Sequence, residues 1–487
     1  MVQQRRRQHF LVVSLPAQGN INPALQLAKN LSRSGGGGGA AVTFATTISG
    51  HRKMFPSGSP PEGPVSFLPY SDGYDGGFDP VTGDTEGYMA QIKVVGYETL
   101  GGATRSLAAQ GRPVTCIIYT LLLPWAADLA QELGVPSVLF WIQPATVFGV
   151  YYHYFHGFDG LISSHRDDPS CPVELPGMPR LRIRDLPSFM ATPAAAQYAF
   201  VLTSFEEMFR TLDREVVENE KNNKKKKKKK IKVLVNSFEE LEKEQLAAVE
   251  TMELIPVGPL LPSAYTDGKN HEDTTFGGDL LKPDAKETYV EWLNGKEDRS
   301  VVYVSFGSFT VLPVPQREEI SRALAESRRP FLWVVRGGRE GAEAAAAAEK
   351  GKLVEWCSQV EVLSHRAVGC FVTHCGWNST VESLLCGVPT VGLPQWTDQP
   401  TNARLAETEW GVGVRAEVNA GGLLEAAELR RCIELVMKDD GEIRRNGEAW
   451  SRRAREAVKE GGSSDRNLMA FVDSLEMAQC PTQLDLE

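Results

Sequence analysis

The amino-acid sequence predicts an α/β protein made of two doubly wound domains that face a cleft. Its 487 residues exceed what one ordinary hydrophobic core accommodates, so two domains of about 200 to 250 residues are expected. In both halves, short β-branched runs alternate with longer amphipathic stretches, which is typical of parallel sheets covered by helices on both faces. A stretch rich in proline and glycine divides the two halves.

The strand-like runs are short and apolar, and helical patterns separate them. In the first half they are FLVVSL, AVTFAT, TCIIYT, SVLFW and KVLVNS, and in the second SVVYVSF, FLWVV, KLVEW, GCFVTH and TVGLP. Helical spacing of apolar residues occurs in NPALQLAKNLSRS, PQREEISRALAESRR and NSTVESLLCG. Because open sheets of this type bind ligands at the carboxyl ends of their strands, functional residues are expected there.

The domain boundary is predicted at ELIPVGPLLPSAYTDGK, residues 253–269. This stretch holds three prolines and two glycines, and the periodic patterns stop there. The N-terminal domain then covers residues 1–252, and the C-terminal domain covers residues 270–463. A C-terminal helix, about residues 464–487, is expected to join the N-terminal domain.

Composition excludes several classes of protein. The formal net charge of -10 argues against a nucleic-acid-binding protein, which normally carries a basic face. No apolar stretch approaches the roughly 20 residues that cross a bilayer, so no integral membrane segment is predicted. Eight cysteines without regular spacing indicate reduced thiols and a cytoplasmic location. Cys370, Cys375, His365 and His374 lie close in sequence, but their spacing is not that of a zinc finger, so no metal site is predicted.

Three low-complexity segments are predicted to be loops: GGGGG at 35–39, KKKKKKK at 224–230 and AAAAA at 344–348. Seven like charges repel one another, which favours a solvated loop for the lysine run. Docking of that run to an anionic membrane surface is the alternative.

The most informative stretch is WCSQVEVLSHRAVGCFVTHCGWNSTVESLLCGVPTVGLPQWTDQ, residues 356–399. It is predicted to contain a strand that ends at His374, a turn through Gly376 and a helix that begins near Asn378. A helix N-terminus carries unpaired N–H groups and partial positive charge, so it can hold a phosphate. Gly376 permits a close approach of the backbone to such a group.

Side chains around that helix suit the parts of a nucleotide sugar: a flat ring for a base, a carboxylate for ribose, donors for phosphate and polar groups for a sugar. They are Trp356, Glu382, His374, Asn378, Ser379, Asp398 and Gln399. Each alone has a simpler interpretation. Ser379 and Glu382 have capping-box spacing, Trp356 and His374 also suit a protein core, and Asp398 suits the surface. The functional interpretation depends on all of them occurring in one block.

That block resembles, over its full length and without a gap, the signature box of plant family 1 UDP-sugar glycosyltransferases. PAQGNINP, TLLLPWAADLA, FWIQPATVF, VLVNSFEELE and PVGPLLP also have family counterparts, and several are most similar to the branch acting on anthocyanidins, flavonoids and carboxylic acids. The resemblance implies a GT-B fold, with two Rossmann-like doubly wound domains that face a cleft. The first domain would bind the acceptor, and the second would bind most of the nucleotide sugar.

The resemblance also implies a role for each residue of the donor site. Trp356 stacks on uracil and the Cys357 backbone pairs with its edge; Gln359 and Glu382 bind ribose; His374, Trp377, Asn378 and Ser379 hold the diphosphate; Asp398 and Gln399 bind the sugar. Ser308, in the SFGS turn, and Gly19 are also assigned to this site. A closing glutamine goes with glucose donors, so UDP-glucose is the expected co-substrate. No D-x-D occurs in the chain, in agreement with chemistry that uses no metal or other cofactor.

One segment departs from the family pattern. The stretch between Arg336 and Leu353 is shorter than usual and lacks the LPEGF-like segment.

The family's catalytic positions differ as well. Its members use a histidine in GHxxP, oriented by an aspartate, to deprotonate the acceptor, which then displaces UDP with inversion. The histidine position is Asn20 here, which is not ordinary for the family, and the aspartate position is Thr120, which is ordinary for the branch that the chain resembles. Neither side chain acts as a base near pH 7.

Two hypotheses about function follow. Either the chain glucosylates an acidic acceptor, a carboxylic acid or an acidic phenol such as a flavonoid, or it is a weak or inactive relative that binds UDP-sugar. In both cases it is expected to be a monomer whose partners are small molecules.

Asn20 also has a structural interpretation, as a helix cap or turn residue. The stretch PAQGNINP predicts a tight turn at Gly19 and a helix that begins at Pro23, although Asn22 is then the better-placed cap. A rescuing base could come from three histidines, each of which also suits a structural or solvent-facing role: His51, His153 and His156.

Overall fold

Two parallel β-sheets, one from each half of the chain, form the framework of the protein. The structure is a computed structural model that describes residues 8–34, 39–79, 83–191, 199–222, 230–268, 270–281, 286–346, 350–438 and 441–479. The strands are β1 His9–Val13, β2 Ala41–Thr47, β3 Val65–Tyr70, β4 Cys116–Tyr119, β5 Ser137–Trp141, β6 Pro172–Val173, β7 Leu181–Arg182, β8 Ile231–Val235, β9 Met252–Pro256, β10 Val301–Ser305, β11 Phe331–Val334, β12 Gly351–Val354, β13 Val368–Thr373, β14 Thr390–Gly392 and β15 Gly413–Arg415.

Helices connect the strands and cover both sheets. They are α1 Gln18–Arg33, α2 Ile48–Met54, α3 Thr85–Ala109, α4 Trp125–Glu132, α5 Ala145–His153, α6 Asp159–Ser164, α7 Ser188–Ala191, α8 Ala199–Asn222, α9 Glu239–Ala247, α10 Lys286–Asn294, α11 Val314–Ser327, α12 Glu343–Ala346, α13 Gln359–Ser364, α14 Trp377–Cys386, α15 Gln399–Arg404, α16 Ala426–Val436, α17 Glu442–Val458 and α18 Ser463–Gln479. Within the described ranges, none of these helices has both the length and the apolar character that a membrane span requires.

The strands within each of the two large sheets run parallel, so their carboxyl ends lie at one edge of that sheet. The seven-stranded sheet has the order β3-β2-β1-β4-β5-β8-β9, and the six-stranded sheet has the order β12-β11-β10-β13-β14-β15. Neighbouring strands in both sheets pair in parallel, while β6 and β7 form a separate antiparallel pair. Strands β1, β4 and β10 are buried along their whole length, as expected for parallel strands with helices on both faces.

The ten strands predicted from the sequence are all present, and five further strands were missed: the short antiparallel pair β6 and β7, and three strands of the parallel sheets, β3, β9 and β15. β3 is an edge strand that is buried only at its two ends and has a proline at its fifth position. β15 has only three residues. β9 pairs with β8, so Glu253–Pro256, predicted as the start of the linker, belongs to the first sheet.

The predicted start of helix α1 was wrong. It begins at Gln18, so Gly19 lies inside the helix rather than in a turn, and Pro23 lies in its interior rather than at its first position. The first turn is stabilised from the second half of the chain, because the Gln18 side-chain oxygen accepts a hydrogen bond from the Leu280 amide at 2.7 Å.

The low-complexity segments lie largely outside the described residues. These are 35–38 of the glycine run, 224–229 of the lysine run and 347–348 of the alanine run. The first three alanines of the last run belong to α12 rather than to a loop.

The last described helix, α18, returns to the first sheet. The Phe471 ring lies 6.4 Å from the Phe10 ring of β1. Asn467 donates to the Pro256 carbonyl of β9 at 3.0 Å, and Ser464 donates to the Gly258 carbonyl at 2.6 Å. Residues 480–487 of the predicted C-terminal helix lie outside the described part of the chain.

We expect Phe471→Ala to lower the free energy of unfolding by about 3–5 kcal/mol, because it removes a large side chain that is 1% exposed. Met469→Ala, on the same helix but 40% exposed, should change it by less than about 0.5 kcal/mol. Denaturant titration of both variants measures the difference. Equal, small effects would contradict the docking of α18 on the first sheet.

Candidate functional site

The centre of the site is the N-terminus of helix α14. Strand β13 ends at Thr373, the chain turns through residues 374–376, and α14 begins at Trp377. Cys375 adopts a positive φ of 62° in this turn, and Gly376 occupies the N-cap position. The first amides of the helix have no partner within it and carry partial positive charge. This end of α14 can therefore hold an anionic group.

His374 lies in a narrow slot between two glycines. A Cβ atom at Gly307 would come within 2.6 Å of the His374 Nε2 atom, and one at Gly376 would come within 2.5 Å. Burial lowers the pKa of His374 to about 4, so the ring is neutral at pH 7. His374 can therefore donate a hydrogen bond to a phosphate oxygen, but it does not supply a positive charge.

The side chains of Trp377 and Asn378 each donate to a backbone carbonyl in the first half of the chain. The Trp377 side chain is 3% exposed, and its indole donates to the Asn236 carbonyl at 2.7 Å. Only its backbone amide remains for the diphosphate role that the resemblance implied. Asn378 Nδ2 donates to the Gly19 carbonyl at 2.9 Å, which joins α14 to the first turn of α1.

Gln359, Ser379 and Glu382 form one hydrogen-bonded group. Gln359 Nε2 donates to Ser379 Oγ at 2.8 Å and to Glu382 Oε2 at 2.7 Å. Because Gly376 is the N-cap, Ser379 is already the third helical residue, so the capping-box alternative for Ser379 and Glu382 is wrong. Burial raises the pKa of Glu382 to about 7, with the Gln359 hydrogen bond opposing the shift.

The other predicted donor residues follow the strands in a fixed order along the sheet edge. Trp356 follows β12, Ser308 follows β10, His374 follows β13 and Asp398 follows β14. Trp356 and Ser308 are partly exposed, whereas Cys357, next to Trp356, is buried with its Sγ atom 3.5 Å from the Tyr303 hydroxyl. The edge thus presents an aromatic side chain at one end, the N-terminus of α14 with polar side chains in the middle, and Asp398 towards the other end.

Asp398 and Gln399 occupy the start of helix α15. Asp398 is 4% exposed and accepts a hydrogen bond from Asn402 Nδ2 at 2.7 Å. Burial raises the pKa of Asp398 to about 6, so it is mainly ionised at pH 7. Gln399 Oε1 accepts from the amides of Gln395 and Trp396 at 2.8 and 3.0 Å, which leaves its Nε2 group as a donor.

Asn20 and Thr120 lie at the carboxyl ends of adjacent strands in the opposite domain. Thr120 donates its amide to the Val13 carbonyl, the last residue of β1, at 3.0 Å. The N-cap of α1 is Ala17, so the interpretation of Asn20 as a helix cap is wrong. Within the described residues, Asn20 Oδ1 and Thr120 Oγ1 are buried without a hydrogen-bond partner.

The three histidines considered as a rescuing base each contact a nearby ring, carbonyl or carboxylate. His51 packs edge-on against Phe55, with ring centroids 5.1 Å apart, and burial lowers its pKa. His153 Nε2 lies 2.9 Å from the Pro176 carbonyl. His156 lies within 2.7 Å of the Tyr152 carbonyl and 3.2 Å of Asp213. The contacts of His153 and His156 favour their structural interpretation.

Sequence reasoning missed Arg336 and Gln143. Arg336 follows β11 and lines a small cavity beside Gly307, and its Nη1 atom has no partner among the described residues. Its position directly after the predicted strand FLWVV is a signal that could have found it. Gln143 Nε2 donates to Thr397 Oγ1 at 3.4 Å. Burial raises the pKa of Tyr151, and the charge of Asp398 raises it further. Both interactions join distant parts of the chain, so neither has a local signal in the sequence.

The four residues considered for zinc do not form a metal site. Across the described ranges, no three histidine, cysteine, aspartate or glutamate side chains converge on a point where a metal ion could bind. The Cys370 and Cys375 thiols are buried, and burial raises the pKa of Cys375 to about 12.

We expect Gly307→Ala to abolish nucleotide binding, because the new Cβ would displace His374. Gly422 has a φ of +77°, close to the +76° of Gly307, and open space around it. Gly422→Ala therefore introduces the same backbone strain without a clash and serves as the control. Each variant should lose roughly 1–2 kcal/mol of stability, whereas only Gly307→Ala should lose affinity for UDP in calorimetric titrations. Unchanged UDP affinity in Gly307→Ala would exclude His374 from the site.

We expect Glu382→Gln to stabilise the ligand-free protein more at pH 8 than at pH 4.5. A carboxyl whose folded pKa is raised from 4.5 to about 7 binds its proton more tightly in the folded state. Stability from that proton is complete below pH 4.5 and is lost as the pH rises through 7, by about 3 kcal/mol. A glutamine side chain does not titrate, so the Glu382→Gln variant does not lose this stability as the pH rises.

Denaturant titrations at both pH values measure this difference, with the exposed carboxylate variant Glu456→Gln as the control. If Glu382→Gln changes the free energy of unfolding equally at pH 4.5 and pH 8, the Glu382 carboxyl is not the source of the pH-dependent loss of stability.

Comparisons with known proteins agree with this geometry. A profile of the family described as UDP-glucoronosyl and UDP-glucosyl transferase matches residues 203–446. The chain is 47% identical to the chloroplastic crocetin glucosyltransferase of Gardenia jasminoides, over 97% of this chain and 98% of that one. It is 46% identical to the phloretin 4'-O-glucosyltransferase of Malus domestica, over 98% and 99%.

The fold is similar to the crystal structure of Os79 from O. sativa in complex with UDP, with a TM-score of 0.81 and 33% identity over 96% of this chain and 100% of that one. This likeness confirms the predicted GT-B fold. On these matches, the chain belongs to the UDP-glucoronosyl and UDP-glucosyl transferase family.

Proposed function

We propose that the chain transfers glucose from UDP-glucose to an acidic small-molecule acceptor, a carboxylic acid or an acidic phenol. The family membership makes it a UDP-glycosyltransferase, and its relatives are glucosyltransferases of small plant metabolites. The observation that carries the proposal is a complete set of donor-site residues opposite Asn20, which cannot act as a base. The products are a glucose ester or a β-glucoside.

The reaction is a single displacement at the anomeric carbon of glucose. The acceptor oxygen forms a bond to that carbon as the bond to the diphosphate oxygen breaks, and UDP leaves with the electron pair. The N-terminus of α14, with donors from His374, Asn378 and Ser379, stabilises the charge that develops on UDP. Asp398 and Gln399 hold the sugar. The acceptor attacks the anomeric carbon from the side of α1, opposite the departing UDP, so the configuration at that carbon inverts.

The missing base decides which acceptors react. General-base catalysis contributes about 10²–10⁴-fold, or roughly 3–5 kcal/mol, and an alcohol would lose all of it here. A carboxylic acid with a pKa near 4 is already ionised at pH 7, so it needs no base. The first turn of α1 provides a positive helix end next to Asn20, which favours an anionic acceptor oxygen.

A weak or inactive UDP-sugar-binding protein is the second candidate. Asn20 favours it, because the family's base position then lacks a group that can accept a proton near pH 7. Product detection by mass spectrometry with a panel of acids and phenols, including crocetin and phloretin, separates the two candidates.

We also propose that the enzyme acts as a monomer, requires no metal or additional cofactor and works in the cytoplasm. The described cysteines are free thiols, which suits a reducing compartment. One relative is named as chloroplastic, so fractionation of the native protein tests the location.

We expect benzoate to react with a kcat/KM at least about 10²-fold higher than benzyl alcohol at pH 7. The two molecules share a ring and differ in the ionisation of the acceptor oxygen. Comparable values for the pair would refute the preference for acidic acceptors.

We expect Asn20→His to raise kcat/KM for benzyl alcohol by about 10²-fold or more, with little effect on benzoate. Asn22→His, two positions further along α1, serves as the matched control. If Asn20→His leaves the rate with alcohol unchanged, the absent base is not what limits the enzyme.

A further inference from the structure

We propose that Asp185, in the N-terminal domain, is a positioning residue for the sugar half of the donor site. Its contacts fix helix α15, which carries Gln399 and follows directly after Asp398. The inference rests on the proposed function, because it concerns how the chain distinguishes UDP-glucose from UDP.

Asp185 lies in the short turn after β7 and meets two arginines of the C-terminal domain. Its side chain is 4% exposed, and its carboxylate lies 2.9 Å from Arg415 Nη1 and 3.8 Å from Arg404 Nε. Arg404 is the last residue of α15, and Arg415 ends the edge strand β15. One buried carboxylate thus joins the acceptor domain to both elements that border the sugar-binding residues.

The segment around Asp185 makes further contacts with α15 and the loop before it. Thr401 Oγ1 donates to the Asp185 carbonyl at 2.7 Å. The Ser188 amide donates to the Thr397 carbonyl at 2.8 Å, and the Thr397 amide donates back to Ser188 Oγ at 2.7 Å. These polar contacts define one position of α15 against the N-terminal domain.

The opposite side of α15 carries the sugar-binding groups. Asn402, next to Thr401, donates from Nδ2 both to Asp398 Oδ2 at 2.7 Å and to the Cys375 carbonyl at 2.9 Å. A shift of α15 would therefore move Asp398 and Gln399 relative to the turn that begins α14. Asn378 and Ser379 of α14 are held by Gly19 and Gln359, which lie outside α15, so we expect a shift of α15 to affect them less.

A buried charge cluster of this kind selects one arrangement of its partners. Breaking a buried pair leaves an uncompensated charge, and this makes wrongly docked arrangements unfavourable. Asp185 is thus expected to affect the contribution of the glucose unit to binding more than the contribution of UDP.

The test compares the affinities of Asp185→Asn and Thr401→Val for UDP-glucose and for UDP, measured by titration calorimetry. Thr401→Val keeps the charge cluster and removes only the hydroxyl that bonds to the Asp185 carbonyl. We expect both variants to lose at least about fivefold in affinity for UDP-glucose and less than about twofold for UDP. Glu174→Gln, which breaks an exposed ion pair with Arg180, should change neither affinity.

Equal weakening of both ligands, or no weakening of either, would overturn the inference while leaving the proposed function intact. If Asp185→Asn fails to fold, as its thermal unfolding would reveal, Thr401→Val alone decides between these outcomes. If the unaltered chain binds neither ligand, the proposed function fails first and the inference fails with it.

Discussion

A hydrogen bond between two helix N-termini joins the two halves of this protein across the cleft. Asn378, at the start of α14, donates to the carbonyl of Gly19 in the first turn of α1. Each helix follows a central strand of its own parallel sheet, so the bond joins the carboxyl edges of the two domains. The positive ends of both helices therefore meet where a diphosphate would leave and an acceptor oxygen would attack. The acceptor and donor roles proposed for the two domains depend on this opposition.

The donor site contains groups that are unfavourable in an empty protein. Burial raises the pKa of Glu382 to about 7 and that of Asp398 to about 6, and neither carboxyl forms an ion pair with a described residue. Burial also keeps His374 neutral. These groups lower stability when the site is empty, and the proposed function accounts for their presence through hydrogen bonds to ribose, phosphate and sugar. Perturbed groups gathered in this way are typical of functional sites.

The sequence was sufficient to predict the parts of the site that are local along the chain. A strand, a turn through Gly376 and a helix occur together in one continuous segment, so the phosphate-binding end of α14 could be predicted with the fold. Contacts between distant segments could not. Asp185 and Arg415 are 230 residues apart, and the indole of Trp377 bonds to Asn236 in the other half of the chain. The start of α1 was misjudged for the same reason, because Leu280 stabilises its first turn.

The central claim is that the edge of the second sheet binds uridine diphosphate through the N-terminus of α14. The most direct measurement is the affinity of the unaltered chain for UDP and for uridine by titration calorimetry. The account predicts a UDP dissociation constant of about 1 mM or below and at least about tenfold weaker binding of uridine, since uridine lacks the phosphates that α14 and His374 would hold. Equal affinity for the two ligands, or no uptake of UDP at millimolar concentration, would contradict it.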